Sequence, residues 1–135
     1  MPSIEHLNPP GLLQLESYSQ VVVASGGRTA YIAGQGAFDE KMQLIGRDDL
    51  HAQTVQAFRN LCTCLAALGV GPERVVSSNM YVVGLDDART EQFIAAMNVA
   101  LNGQPFPPNA STLVGVTRLA MAEMLVEISA IAVLD

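Results

Sequence analysis

The last quarter of the chain, residues 107–133, constrains the fold more than any other stretch. It opens on a proline pair and Asn109-Ala110, continues as Ser111-Thr-Leu-Val-Gly-Val-Thr117, and breaks over 118–123. It ends in Met124-Leu-Val-Glu-Ile-Ser-Ala-Ile-Ala-Val133. A β-branched, aliphatic run of this kind predicts a buried strand. One carboxylate, Glu127, stands in its middle between Val126 and Ile128. Burying a lone charge is costly unless it is paired or hydrogen-bonded. Strand parity puts Leu125, Glu127, Ser129 and Ile131 on one face and Val126, Ile128, Ala130 and Ala132 on the other. The all-aliphatic set is expected under helices, and the set holding Glu127 on the opposite face.

The rest of the chain must supply the partners of this strand. Residues 1–16 read as irregular, because Asn8-Pro-Pro-Gly11 breaks any regular element. Residues 18–24 and 29–33 read as two strands joined in a hairpin by Ser25-Gly-Gly-Arg28. Gly34-Gln-Gly36 follows and suits a bend, a bulge or close approach of a ligand to the backbone. Asp48 or Asp49 can cap a helix that runs to Leu68 and closes at Gly69. Its apolar stripe is Val55, Phe58, Leu61, Cys62, Leu65 and Leu68, with Gln53 and Asn60 off it as solvated or capping groups. Residues 74–83 read as a strand with Val76, Met80 and Val82 on one face and Asn79 and Tyr81 on the other. Asp86 or Asp87 can cap a second helix with the stripe Phe93, Ile94, Met97 and Leu101, ending at Asn102-Gly103.

The order β-β-α-β-α-β-β predicts one domain over 1–135, an α/β chain built as a two-layer α+β sandwich. Right-handed β-α-β crossovers make part of the sheet parallel, so the sheet is mixed with two helices on one face. Its other face needs cover, and a symmetric oligomer supplies it.

Composition narrows the function. The formal charge is −6 and the pI about 4.7, so the basic footprint of a nucleic-acid binder is missing. No stretch reaches the ~18 apolar residues of a membrane helix. The N-terminus lacks the pattern of a secretory signal, so a cytoplasmic protein is expected. Cys62 and Cys64 sit one residue apart and point to different helix faces, which argues against a disulfide or a metal pair. No metal or cofactor is expected. His6 and His51 have no evident partner in the sequence and read as surface residues.

Several segments, taken in order, resemble the RidA/YjgF family, also called endoribonuclease L-PSP-like. They are Tyr18-Ser-Gln20, Tyr31-Ile-Ala-Gly-Gln-Gly36, Gln53-Thr54, Asn60-Leu61, the strand over 75–83 and Val126-Glu-Ile-Ser-Ala-Ile-Ala132. The resemblance covers nearly the whole chain. It implies a chorismate-mutase-like fold and a homotrimer with small-molecule clefts between subunits. It also implies hydrolysis of 2-aminoacrylate-type enamines and imines to keto acids. By the same resemblance Glu127 orients a water, and Tyr18, Ala33, Gly34, Gln92, Ser111 and Leu113 line the cleft.

One departure bears on the substrate. Where that family reads P-A-R-S/T, with an arginine for the substrate carboxylate, this chain reads Asn109-Ala-Ser-Thr112. Ser111 or Ala110 takes the arginine position, and Ala33 replaces a serine. Arg28 and Arg118 read as solvated. Three readings follow: hydrolysis of a neutral or cationic imine, enamine or acyl compound; a small-molecule binding protein without turnover; and a ribonuclease or translation inhibitor, which the acidic balance opposes.

Overall fold

The computed structural model describes residues 3–14, 16, 18–102 and 108–135. It contains β1 (Ser3–Leu7), β2 (Val21–Ser25), β3 (Thr29–Gln35), α1 (Leu50–Ala67), β4 (Val75–Val83), α2 (Asp87–Ala100), β5 (Ala110–Val116) and β6 (Val126–Val133), with a short 3-10 turn at Pro72–Arg74. Four strands form a mixed sheet in the order β3-β6-β4-β5, and β4 and β5 are the parallel pair. β1 and β2 form a separate antiparallel ladder. Both helices pack on one face, as the α+β two-layer reading requires.

The aliphatic alternation of β6 sets the layering. Val126, Ile128, Ala130 and Ala132 are buried against α1, while Glu127, Ser129 and Ile131 are half-exposed on the far face. Phe58, Leu61 and Leu65 of α1 and Phe93 and Ala96 of α2 complete this core. The Phe58 and Phe93 rings meet at 5.6 Å between centroids, tilted by 57°. Asp49 caps α1 through Ala52 N–H, and Asp86 caps α2 through Arg89 N–H. Gly69 takes φ +75 beyond the end of α1, and Asn102 takes φ +56 beyond α2. Gly103 and the first part of the expected proline loop lie outside the described residues.

Five expectations are corrected. First, Ser3–Leu7 is a strand and not irregular chain. Its backbone pairs Leu7 with Val21 and Ser3 with Ser25. Second, β2 and β3 do not form a hairpin. The Gly27 N–H donates to Asp135 O at 2.8 Å, and Leu134 N–H donates to Arg28 O at 2.8 Å. The glycine turn is thereby tied to the end of β6. β3 pairs with β6, leaving β2 to β1.

Third, a shift in register between Val75 and Ser77 puts Val75, Ser78 and Val82 among the buried residues, in place of the expected Val76. Fourth, Leu68 and Ile94 are exposed, whereas Ala57, Ala96 and Ala100 are buried. Small residues let helices approach closely, and the large residues at the stripe margins stay outside.

The fifth correction concerns polar residues. Gln53 is fully buried, not solvated. Its Nε2 donates to Gly46 O at 3.2 Å and Glu123 O at 3.1 Å, and its Oε1 accepts from Leu125 N–H at 2.9 Å. Asn60 donates to Gly36 O at 2.9 Å and Phe38 O at 3.0 Å. From α1, two amides therefore satisfy backbone groups at the end of the β3–β6 ladder next to Gly34 and Glu127.

Candidate functional site

The sheet face opposite the helices carries Tyr31, Ala33, Asn79, Ser129 and Ile131 around a shallow depression. Tyr31 is 78% exposed there. Tyr81 stands directly across from Glu127 in the β4–β6 ladder. An exposed tyrosine ring beside aliphatic side chains is an uncovered sheet face.

Glu127 reaches β3 on this face. The register of β3 against β6 shifts between Ile32 and Gln35, so the chain bulges at Ala33-Gly34. The bulge turns Gly34 toward the carboxylate. A Cβ built on Gly34 would lie 2.7 Å from Glu127 Cδ and 2.9 Å from Cγ, and closer still to Oε1. Only glycine leaves that space, so Gly34 permits a close approach rather than a positive φ. The ion pairs among the described residues, Arg28–Asp135 and Arg47–Glu123, leave Glu127 out. A half-exposed carboxylate resting on backbone, with its face open, can accept a proton or orient a water.

Gly34→Ala is accordingly expected to displace the Glu127 side chain while costing less than about 1 kcal/mol of stability, because a flexible side chain and not backbone must yield. The carboxyl carbon resonance of Glu127 should shift, with the urea midpoint nearly unchanged. An unmoved resonance would show that the carboxylate does not rest on this glycine.

The remaining expected site residues lie elsewhere. Tyr18, Ser111 and Leu113 line a second cavity at the β5 edge, with Ser78, Met80 and Asn109 and with Phe93, Ile94 and Met97 of α2. In register, Ser111 pairs with Ser78 and Leu113 with Met80. These residues belong to the helix side of the sheet, so within one chain they do not meet Glu127. Gln92 is exposed on α2 and lines neither place. Ala33, Gly34 and Glu127 are brought together, and so are Tyr18, Ser111 and Leu113. Within one chain the residues expected to share a cleft therefore fall into two separate groups.

The arginines considered as substitutes are engaged locally. Arg28 pairs with Asp135 through Nη2, at 2.5 Å, and holds that carboxyl below the usual carboxylate range. Arg118 donates to Leu119 O and Ala120 O in its own loop. His6, expected to lack a partner, lies 2.8 Å through Nδ1 from the buried Ser19 hydroxyl. Ser19 N–H in turn donates to Asn109 O at 3.1 Å, fastening the residue after Tyr18 to the start of β5. The sequence signal for this was the position of Ser19 beside Tyr18, but its partner lies ninety residues away, beyond local reading.

Residues 11–134 match the endoribonuclease L-PSP family. The chain belongs to the RidA/YjgF/L-PSP family. A RutC family protein, slr0709 of Synechocystis, is 34% identical over 121 residues, 87% of this chain and 85% of that protein. Among solved structures of this Rid family, YyfB of Yersinia pestis, described as a protein of unknown function, superposes with a TM-score of 0.86 at 34% identity. It covers 97% of this chain and 98% of its own. RidA from an Antarctic Psychrobacter matches with a TM-score of 0.66 at 29% identity, over 90% and 92% of the two chains. The Rid fold is the chorismate-mutase-like α+β arrangement seen here. No helix among the described residues is long and apolar enough to cross a membrane.

Proposed function

We propose that this Rid chain forms a homotrimer whose clefts each combine the Gly34–Glu127 half-site of one subunit with the Tyr18–Ser111–Leu113 half-site of the next. The observation that carries this reading is the placement of Glu127 over Gly34 on a sheet face that is open in the single chain. Tyr31 and Val114 on that face are exposed, and so are Val21 (41%) and Val23 (47%) on the β1–β2 ladder. Apolar area of this kind favours association with further copies.

In the cleft Glu127 orients or deprotonates a water that attacks a small imine, enamine or acyl compound. Ser111 occupies the place of the carboxylate-binding arginine. A serine hydroxyl offers one neutral hydrogen bond where a guanidinium offers a bidentate, charged grip. An anionic substrate would also meet Glu127, a like charge. The substrate class is therefore neutral or cationic, and 2-imino acids are poor substrates. The chain is a hydrolase of the deaminase type on this reading, acting without a cofactor.

Keto-acid release from 2-imino acids, generated by an amino-acid oxidase, tests the point. The wild-type chain is expected to show negligible turnover. Ser111→Arg should raise it about 30-fold or more, the lower end of the ~2–5 kcal/mol carried by a buried charge pair. Rapid turnover by the wild-type chain would overturn the missing-clamp argument. A silent Ser111→Arg variant that is folded would remove Ser111 from the clamp position.

A further inference from the structure

The inference below rests on reading the residues at the β5 edge as part of the cleft. The cavity there has a volume of about 160 Å³. Met80, Phe93, Met97 and Leu113 form its apolar wall. Among the described residues, no charged side chain lines it. Ser78 and Asn109 supply its buried polar part. They are 1% and 2% exposed, and the Ser78 hydroxyl donates to Asn109 Oδ1 at 2.7 Å. That bond occupies the donor of Ser78, so the pair presents no cation or anion to a ligand.

Phe93 is held from behind by Phe58, whereas the two methionines are unbranched and adapt to shape. An apolar cavity of about 150 Å³ is enough for one benzene molecule. Placing a carboxylate in such a space, without a cation, is strongly disfavoured.

We propose that this cavity is a specificity subsite for a compact, uncharged apolar group. It takes a branched chain of about four carbons or a single ring. The polar end of the ligand stays at Ser111 and Tyr18, toward the neighbouring Glu127. The substrate class narrows from any neutral metabolite to a neutral amide-like or imine-like compound with an apolar tail.

Methyl-labelled NMR of the assembled protein tests the subsite with three probes: isovaleramide, isovalerate and acetamide. Isovaleramide should shift the methyl signals of Met80, Met97 and Leu113. Acetamide, lacking the branched tail, should bind at least about tenfold more weakly, since a single methylene in an apolar pocket is worth ~10–200-fold, and isovalerate should bind more weakly because its carboxylate meets no cation there. Met97→Trp should fill the cavity and abolish the isovaleramide shifts. If that variant does not fold, Leu113→Phe gives the same readout. Equal affinity for isovaleramide and acetamide would overturn the subsite. So would isovaleramide shifts at the methyls of Ala33 and Ile131 with none at Met80 and Met97, which would leave the cleft reading standing. Shifts at Met80 and Met97 alongside a silent Ser111→Arg variant would do the reverse, keeping the subsite and removing the cleft reading.

Discussion

In a Ser111→Arg background, Glu127→Gln is expected to lower keto-acid release by about 100-fold or more, with the assembly intact. A positioned general base contributes ~10²–10⁴-fold to a proton transfer. The amide keeps the shape of the carboxylate and its fit over Gly34, but it cannot accept the proton of an attacking water. The structure leaves room for this isosteric change, because the Glu127 side chain is half-exposed and joins no ion pair among the described residues. Sedimentation equilibrium should return about three times the chain mass of 14.3 kDa for both variants. A variant that fell to monomers would make Glu127 a pairing residue of the interface. Unchanged turnover in an intact assembly would take the general-base role from it.

The largest effect on stability is expected at Gln53. Gln53→Leu keeps the volume but removes three hydrogen bonds at once. Gly46 O, Glu123 O and Leu125 N–H then lose their partner inside α1's interface with the sheet. Each buried polar group left unsatisfied costs ~1–3 kcal/mol, and some relaxation toward water offsets the sum. A net loss of about 3 kcal/mol follows, or a drop of ~1–3 M in the urea midpoint at fixed protein concentration. The same variant should loosen the start of β6, raising hydrogen exchange at Leu125, two residues before Glu127. A midpoint within a few tenths of wild type would mean that water replaces the amide without penalty.

The contrast between Gln53 and β6 shows what was legible in the sequence. The faces of β6 were readable because alternation is a local property: Val126, Ile128, Ala130 and Ala132 could share only one side. The caps were readable to within one residue for the same reason, as Asp48 or Asp49 and as Asp86 or Asp87, and the structure uses Asp49 and Asp86. Gln53 was not, because an amide off the helix stripe looks solvated until the loops at 46 and 123–125 fold over it. The pairing of β2 with β1 rather than β3 was hidden as well. It depends on Gly27 and Arg28 bonding to the end of β6, more than a hundred residues away.

For the candidate site, single residues could be picked out of the sequence but their arrangement could not. Glu127 stood out as a charge inside an aliphatic strand, and Gly34 as a glycine where a bulge or close approach was expected. That Ser111 and Leu113 face the helix side while Glu127 faces away could not be read, because parity within β5 says nothing until its register with β4 is known. Gln92 lies on the exposed side of α2, away from Phe93 and Met97, which do line the cavity.

Ser111 and Glu127 lie on opposite sheet faces of one chain, so the proposed cleft needs two chains, and subunit mixing tests it directly. Wild-type chains, which have Glu127 but a serine in the clamp position, are unfolded and refolded with an equal amount of Ser111→Arg/Glu127→Gln chains, which have the clamp arginine but no carboxylate. Neither alone should release keto acid from 2-imino acids. If each cleft joins residue 111 of one subunit to residue 127 of the next, one half times one half of the clefts in random assemblies are complete. The mixture should then reach about a quarter of the rate of the Ser111→Arg single variant. A mixture that stays silent while the single variant is active would place both residues in a site made by one chain and contradict the two-subunit cleft.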